Sequence, residues 1–279
     1  VYGGGAVASI GTYNLDDPSN LWVSGGTAEV KVLGGTIGTD GHENGMVYGS
    51  GRGEVDYSFF DSLAYATNAV VTIGTNGGDF TTPIIKGSVY GSGENGHVFQ
   101  KATVNVYSGT IGCDSAEYAA MDSIQKADNF PFRGNVYGAG CGTDTTPEGK
   151  YNSLAGVVQG NTEVNIHGGY ISRNVYGAGA MASVGSITDT IGHRDVATTF
   201  ALSWPMALTY AEGTGTAVVN ITGGHIGTVK APEGTSGDVY GSARGEAGDR
   251  YKFANLANVH TAKVTVDFSP NPTNVIEGS

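Results

Sequence analysis

The sequence predicts an all-β protein, a right-handed parallel β-solenoid of about six three-strand rungs, and three observations carry the prediction. The tripeptide Val-Tyr-Gly begins at Val1, Val47, Val89, Val136, Val175 and Val239, at spacings of 46, 42, 47, 39 and 64 residues. A second, apolar-polar-apolar motif lies between its copies. Glycine supplies 47 of the 279 residues without any Gly-X-Y period, which excludes collagen.

The second motif places Val30, Val71, Val104, Val164, Val219 and Val264 two residues before Val32, Ile73, Val106, Ile166, Ile221 and Val266. Lys, Thr or Asn stands between each pair, and this period-2 alternation of β-branched and polar residues describes a strand with one buried face. In most copies a glycine turn follows, as at Gly34-Gly35, Gly168-Gly169 and Gly223-Gly224. A short third strand then carries Ile37, Ile111, Ile171 or Ile226, with Ile84 or Ile85 in the irregular second copy. Each repeat therefore reads as strand, turn, strand, loop, Val-Tyr-Gly strand, loop. Three short strands cannot bury their own apolar face, but stacked units can. Residues 1–279 read as one such domain. A β-propeller would need four antiparallel strands per blade.

Composition narrows the function classes. Charged residues make up 14% and the net charge is −12. Such a surface disfavours nucleic acid, which needs Lys/Arg patches, and suits a secreted, soluble protein. No apolar run reaches the length of a membrane helix. The expectation is an extracellular or cell-surface protein without nucleic-acid binding or membrane insertion.

The run Val164-Asn165-Ile166-His167-Gly168-Gly169-Tyr170-Ile171 resembles the right-handed parallel β-helix proteins of the pectin-lyase-like class. The Val-Tyr-Gly-Gly-Gly repeats resemble those of large secreted or surface proteins of anaerobic gut bacteria. The resemblance implies architecture across nearly the whole chain. It is weak for activity, because that class holds lyases, hydrolases and adhesins, and fold does not imply function.

Functional residues of a solenoid sit in the loops that differ between rungs. Residues 6–27 contain Trp22, and residues 183–212 contain Phe200, Trp204, Met206 and Tyr210. Aromatic residues of this kind anchor interfaces, which makes these the candidate binding residues, for a host or bacterial surface glycan or protein. The alternative is that the longer segment folds back as a flap. The motif tyrosines, Tyr2, Tyr48, Tyr90, Tyr137, Tyr176 and Tyr240, point outward if each Val points inward. Such a ladder either offers flat rings to sugars or packs under a loop.

The reading that follows is an extracellular structural or adhesive protein, a stiff stalk presenting loops. The alternative is a polysaccharide lyase or glycoside hydrolase of the β-helix type. Hydrolysis needs two carboxylates roughly 5 to 10 Å apart, yet only Glu29 and Glu163 recur at matching strand positions. No catalytic triad or phosphate loop is present, and no cofactor is expected. Calcium is weakly supported by Asp16-Asp17 and by Asp40 with Glu43, and the six histidines lack ligand spacing. Cys113 and Cys141 flank the insertion at 114–133 and form either a disulfide, favoured for an extracellular protein, or two buried thiols. The chain opens inside a repeat motif at Val1 and closes on Val275-Ile276, the start of another rung. It therefore reads as a segment of a longer chain or filament, with Val275 and Ile276 as end-to-end contacts to further repeats or identical subunits.

Overall fold

The alternation that predicts a one-sided strand is realised six times. Thr27–Val32, Tyr65–Ile73, His97–Val106, Asn161–Ile166, Thr216–Ile221 and Thr261–Val266 pair in parallel, in sequence order, as one long-strand sheet. The computed structural model describes residues 1–13, 22–39, 44–54, 64–113, 115–123, 133–142, 155–191, 207–228, 236–245, 257–270 and 273–278.

A second parallel sheet collects the two-residue strands at Thr36–Ile37, Ile84–Ile85, Thr110–Ile111, Tyr170–Ile171, His225–Ile226 and Val275–Ile276. This is the isoleucine sheet. A third, the tyrosine sheet, stacks Val47–Tyr48, Val89–Tyr90, Val136–Tyr137, Val175–Tyr176 and Val239–Tyr240. Tyr2 adds a parallel bridge to Tyr48. The protein is thus a parallel β-solenoid. Among the described residues it has five complete three-strand rungs, with a partial turn at each end.

Like residues stack on like. Val30, Val71, Val104, Val164, Val219 and Val264 are register partners, and Ile37, Ile85, Ile111, Ile171, Ile226 and Ile276 form a second row. Eighteen buried Val and Ile side chains fill the interior as a single cluster. The expected inward stack differs only at its last member. Val264 is in register with Val219 but 45% exposed, because no described rung lies over it. The irregular second copy uses Ile85, while Ile84 faces outward.

Polar rows reinforce the stack outside the core. Asn165 Nδ2 donates to Asn105 Oδ1 at 3.0 Å, and Asn220 Nδ2 to Asn165 Oδ1 at 2.9 Å. Before Val89, Val136 and Val175, a side-chain oxygen accepts the backbone N–H of the next rung. Ser88 Oγ accepts from Asn135, Asn135 Oδ1 from Asn174, and Asn174 Oδ1 from Asp238.

The glycine of Val-Tyr-Gly has a reason that turn chemistry does not provide. A Cβ on Gly138 would stand 2.1 Å from the carbonyl oxygen of Gly177, the same position one rung on. Gly3, Gly49 and Gly91 meet the next rung at 2.2–2.3 Å in the same way. These glycines are needed for close approach between backbones. By contrast, a Cβ on Gly34 would meet nothing.

Two mutational outcomes follow. Gly138→Ala should lower stability by about 1–3 kcal/mol or more through overpacking, while Gly34→Ala should change it by less than about 1 kcal/mol. Denaturant titrations showing equal effects would contradict the close-approach argument. Ile166, fully buried, should tolerate Val at a cost of about 1 kcal/mol, whereas Ile166→Asp should cost several kcal/mol.

Candidate functional site

The tyrosine row lies outside the aliphatic interior, and its four inner rings are buried. Its rings stack at 4.7–4.9 Å between centroids with interplanar angles of 7–18°. Tyr48, Tyr90, Tyr137 and Tyr176 are buried, and Met46, Ala180 and Cys141 pack on them. The adjacent Val and Tyr of each inner strand are therefore both covered, Val by the solenoid core and Tyr by loops on the other side of the sheet. The expectation of an outward ladder holds for direction. Of its two readings, packing under loops describes the four inner rings. Only Tyr2 and Tyr240, at the ends, remain about two-fifths exposed.

Burial holds the Tyr90 and Tyr137 hydroxyls well above the usual tyrosine range. Tyr240 is pushed up to about 12 by burial and then by its 3.0 Å hydrogen bond to Asp238. Tyr137 Oη is buried and has no hydrogen-bond partner among the described residues.

A groove of about 550 Å³ opens on the outer face of the isoleucine sheet. Its floor is the row of residues preceding each inward isoleucine, namely Ile84, Thr110, Tyr170 and His225, one per rung and in direct register. Phe80 meets Tyr170 edge-on at 5.0 Å, and Tyr170 lies 6.0 Å from the His225 ring.

One wall is built by the short helix Ser115–Ala120, which projects from the insertion after Cys113. Glu117 on this helix takes Lys86 Nζ at 2.7 Å and Arg133 Nη2 at 2.9 Å. Arg133 is almost fully buried, and its Nε also donates to the Lys86 carbonyl at 2.7 Å. A buried guanidinium is tolerated when its donors are satisfied in this manner. At the other end, His225 Nε2 lies 3.0 Å from Glu277 Oε1. Each carboxylate of the groove is thus engaged by a basic partner, and the surface presents ring faces, hydroxyls and paired charges.

Of the sequence-predicted binding residues, Trp22 and Tyr210 are not among those that line this groove. Trp22 lies in the short antiparallel pairing of Gly11–Tyr13 with Trp22–Gly25. Phe200, Trp204 and Met206 fall outside the described residues, as do Asp16, Asp17, Asp40 and Glu43. Tyr210 lies in the antiparallel pair Ile187–Ile191 with Ala207–Tyr210, and its ring stacks on His260 at 5.1 Å. Val275 and Ile276 form the last strand of the isoleucine sheet.

The favoured disulfide is not formed, and Cys113 and Cys141 are free thiols. They occupy different environments. Cys113 sits among Arg133, Glu117 and Arg173, with its thiol shifted up by burial. Cys141 packs on the tyrosine row with its thiol pushed up to about 11, chiefly by burial.

Glu29 and Glu163 share one outward row but stand three rungs apart, each paired with a lysine. Arg52 reaches across to Glu94 at 4.0 Å. His167 stacks on Tyr107, and no cluster of metal-ligating side chains occurs among the described residues. Sequence reasoning missed Lys86, Glu117, Tyr170 and Glu277. For Tyr170 the available signal was its place before a third-strand isoleucine; Lys86 and Glu277 directly follow such an isoleucine, whereas Glu117 lies on the helix after Cys113. Comparison with protein-family models, curated proteins and solved structures finds no match.

The tyrosine row makes two measurable demands. Tyr137→Phe should leave stability unchanged or raise it by about 1 kcal/mol, since no hydrogen bond is lost, whereas Tyr137→Ala should cost about 3–5 kcal/mol. The row should also give alkaline sensitivity. Its raised folded-state values mean that its contribution is complete below the unfolded tyrosine value of about 10 and is lost as pH rises above it. Tyrosinate absorbance of the inner rings should appear together with loss of the β-sheet circular dichroism, and titration well before unfolding would contradict their burial.

Proposed function

We propose that this chain is an extracellular structural or adhesive solenoid, a stiff rod that carries its inserted segments and side groove to a partner. The observation that supports this reading most is the continuity of the ladders. Core Val and Ile, outer Asn and stacked Tyr run from rung to rung across insertions of unequal length. Each rung is locked to the next by several independent rows, so bending or slipping would break all of them together. The acidic, sparsely charged composition suits a protein that works outside the cell.

A second reading, a β-helix polysaccharide lyase or glycoside hydrolase, draws on the groove itself, whose carboxylates Glu117 and Glu277 stand at opposite ends. One experiment separates the two. Beads coated with the purified chain are flowed over mucin-coated and bacteria-coated surfaces, and the same chain is incubated with polysaccharides while reducing ends are counted. Retention under flow without new reducing ends is the expected result, and catalytic release of sugar would overturn the structural reading.

The same reading gives the exposed last rung a partner of its own kind, stacked end to end. Val264 and Val266 are 45% and 48% exposed, although their register partners Val219 and Ile221 are buried. Lysine at Val275 and Ile276 should suppress concentration-dependent association in sedimentation experiments. Unchanged sedimentation would remove these residues from any end-to-end contact.

A further inference from the structure

The groove on the isoleucine sheet runs along the stack, and its composition specifies a ligand more closely than its position does. Ile84, Thr110, Tyr170 and His225 follow one another in register, one per rung. Successive strands of a parallel sheet lie about 4.8 Å apart. A ligand lying in this groove therefore meets a new outward side chain at each step of that length, close to the length of one sugar unit in an extended chain. The side chains differ in kind: the rings of Tyr170 and His225 are neighbours in the row, and the hydroxyls of Thr81 and Thr110, whose protons go to Asp79 and to the Thr81 carbonyl, present acceptor oxygens, with Thr228 also in the lining. An apolar lining with a few placed polar groups is the usual make-up of a small-ligand site.

Charge narrows the class. The lining holds one lysine, Lys86, against two carboxylates, Glu117 and Glu277, with the buried Arg133 behind Glu117, and the Lys86–Glu117, Arg133–Glu117 and His225–Glu277 contacts are all within 3.0 Å. An acidic chain would require a surplus of positive charge to bind, and this groove has none. Nor does it offer a strand edge to an extended peptide, because the isoleucine strands already pair with one another across the floor.

The geometry points to a binding site for an unbranched, neutral oligosaccharide, laid along the solenoid axis with sugar faces on Tyr170 and His225 and hydroxyls on the threonines and the paired charges. This deepens the adhesive reading by naming the ligand class, and the two fail separately. Retention under flow without glycan affinity would move adhesion to the inserted segments, whereas glycan affinity with bond cleavage would keep the site and discard the adhesive role.

The test is calorimetric titration of the purified chain with cellohexaose, mannohexaose and xylohexaose, and with hexagalacturonate as the acidic comparator. Binding of at least one neutral hexasaccharide, with hexagalacturonate at least tenfold weaker, is expected. Tyr170→Ala should weaken that binding tenfold or more by removing a ring face. Thr110→Arg, which fills the groove from an outward position without entering the core, should weaken it at least as much. Circular dichroism identical to that of the parent should accompany both. The proposal is overturned if none of the three neutral chains binds, if hexagalacturonate binds more tightly, or if Thr110→Arg binds as well as the parent.

Discussion

At the corner of every rung two backbones come so close that only a hydrogen atom fits between them. Gly49, Gly91 and Gly138 each lie within van der Waals limits of the equivalent glycine one rung on, and a single methyl group there would collide with its carbonyl oxygen. The rest of the structure depends on that approach. It sets the Val and Tyr that precede the glycine into register, and so aligns the core rows and the ring stack in one operation. The ring separation of 4.7–4.9 Å is the strand spacing transferred to side chains. Offset or parallel stacking of aromatic rings adds favourable energy beyond burial, so the same contact that restricts the backbone also stabilises the outer layer.

The burial of this layer changes how the solenoid is held together. The tyrosine sheet has apolar groups on both of its faces, the aliphatic interior on one and the ring stack on the other. A sheet buried on both sides has little access to water for its amides, which favours hydrogen bonding along the stack. Side-chain acceptors from Ser88, Asn135 and Asn174 add to that set. The rod therefore has two cohesive layers, and the loops that cover the tyrosines are part of the folded structure.

Much of this was legible in the sequence, and for a definite reason. A period of two with a β-branched residue at every other position identifies an inward row without knowledge of its neighbours, so Val164, Ile166 and Ile171 could be assigned to the core directly. The environment of the tyrosines was harder to read. Alternation gives the direction of a side chain, whereas burial of an outward one depends on loops that cross it from other rungs, such as those carrying Met46 and Ala180. The groove was hidden for a similar reason. Glu117 meets Lys86 and Arg133 across 31 and 16 residues of sequence, and no local pattern encodes those contacts. The cysteines illustrate the limit of reasoning from sequence order. Both flank one insertion, but they belong to different corners of the rung and have different neighbours.

The unequal spacing of the Val-Tyr-Gly copies, from 39 to 64 residues, has a consequence for how such a chain diversifies. The residues that align from rung to rung keep their partners whatever the spacing between copies, so a longer intervening segment does not shift the register above or below it. Lengthening a flexible loop twofold costs only about 0.6 kcal/mol in closure entropy. The molecule therefore separates heredity of form from novelty of surface. The rows of Val, Ile, Asn and Tyr can be copied unchanged, while each excursion is free to acquire new sequence, new length and new contacts on its own. A gene that duplicates one rung gains a site for innovation and keeps its scaffold.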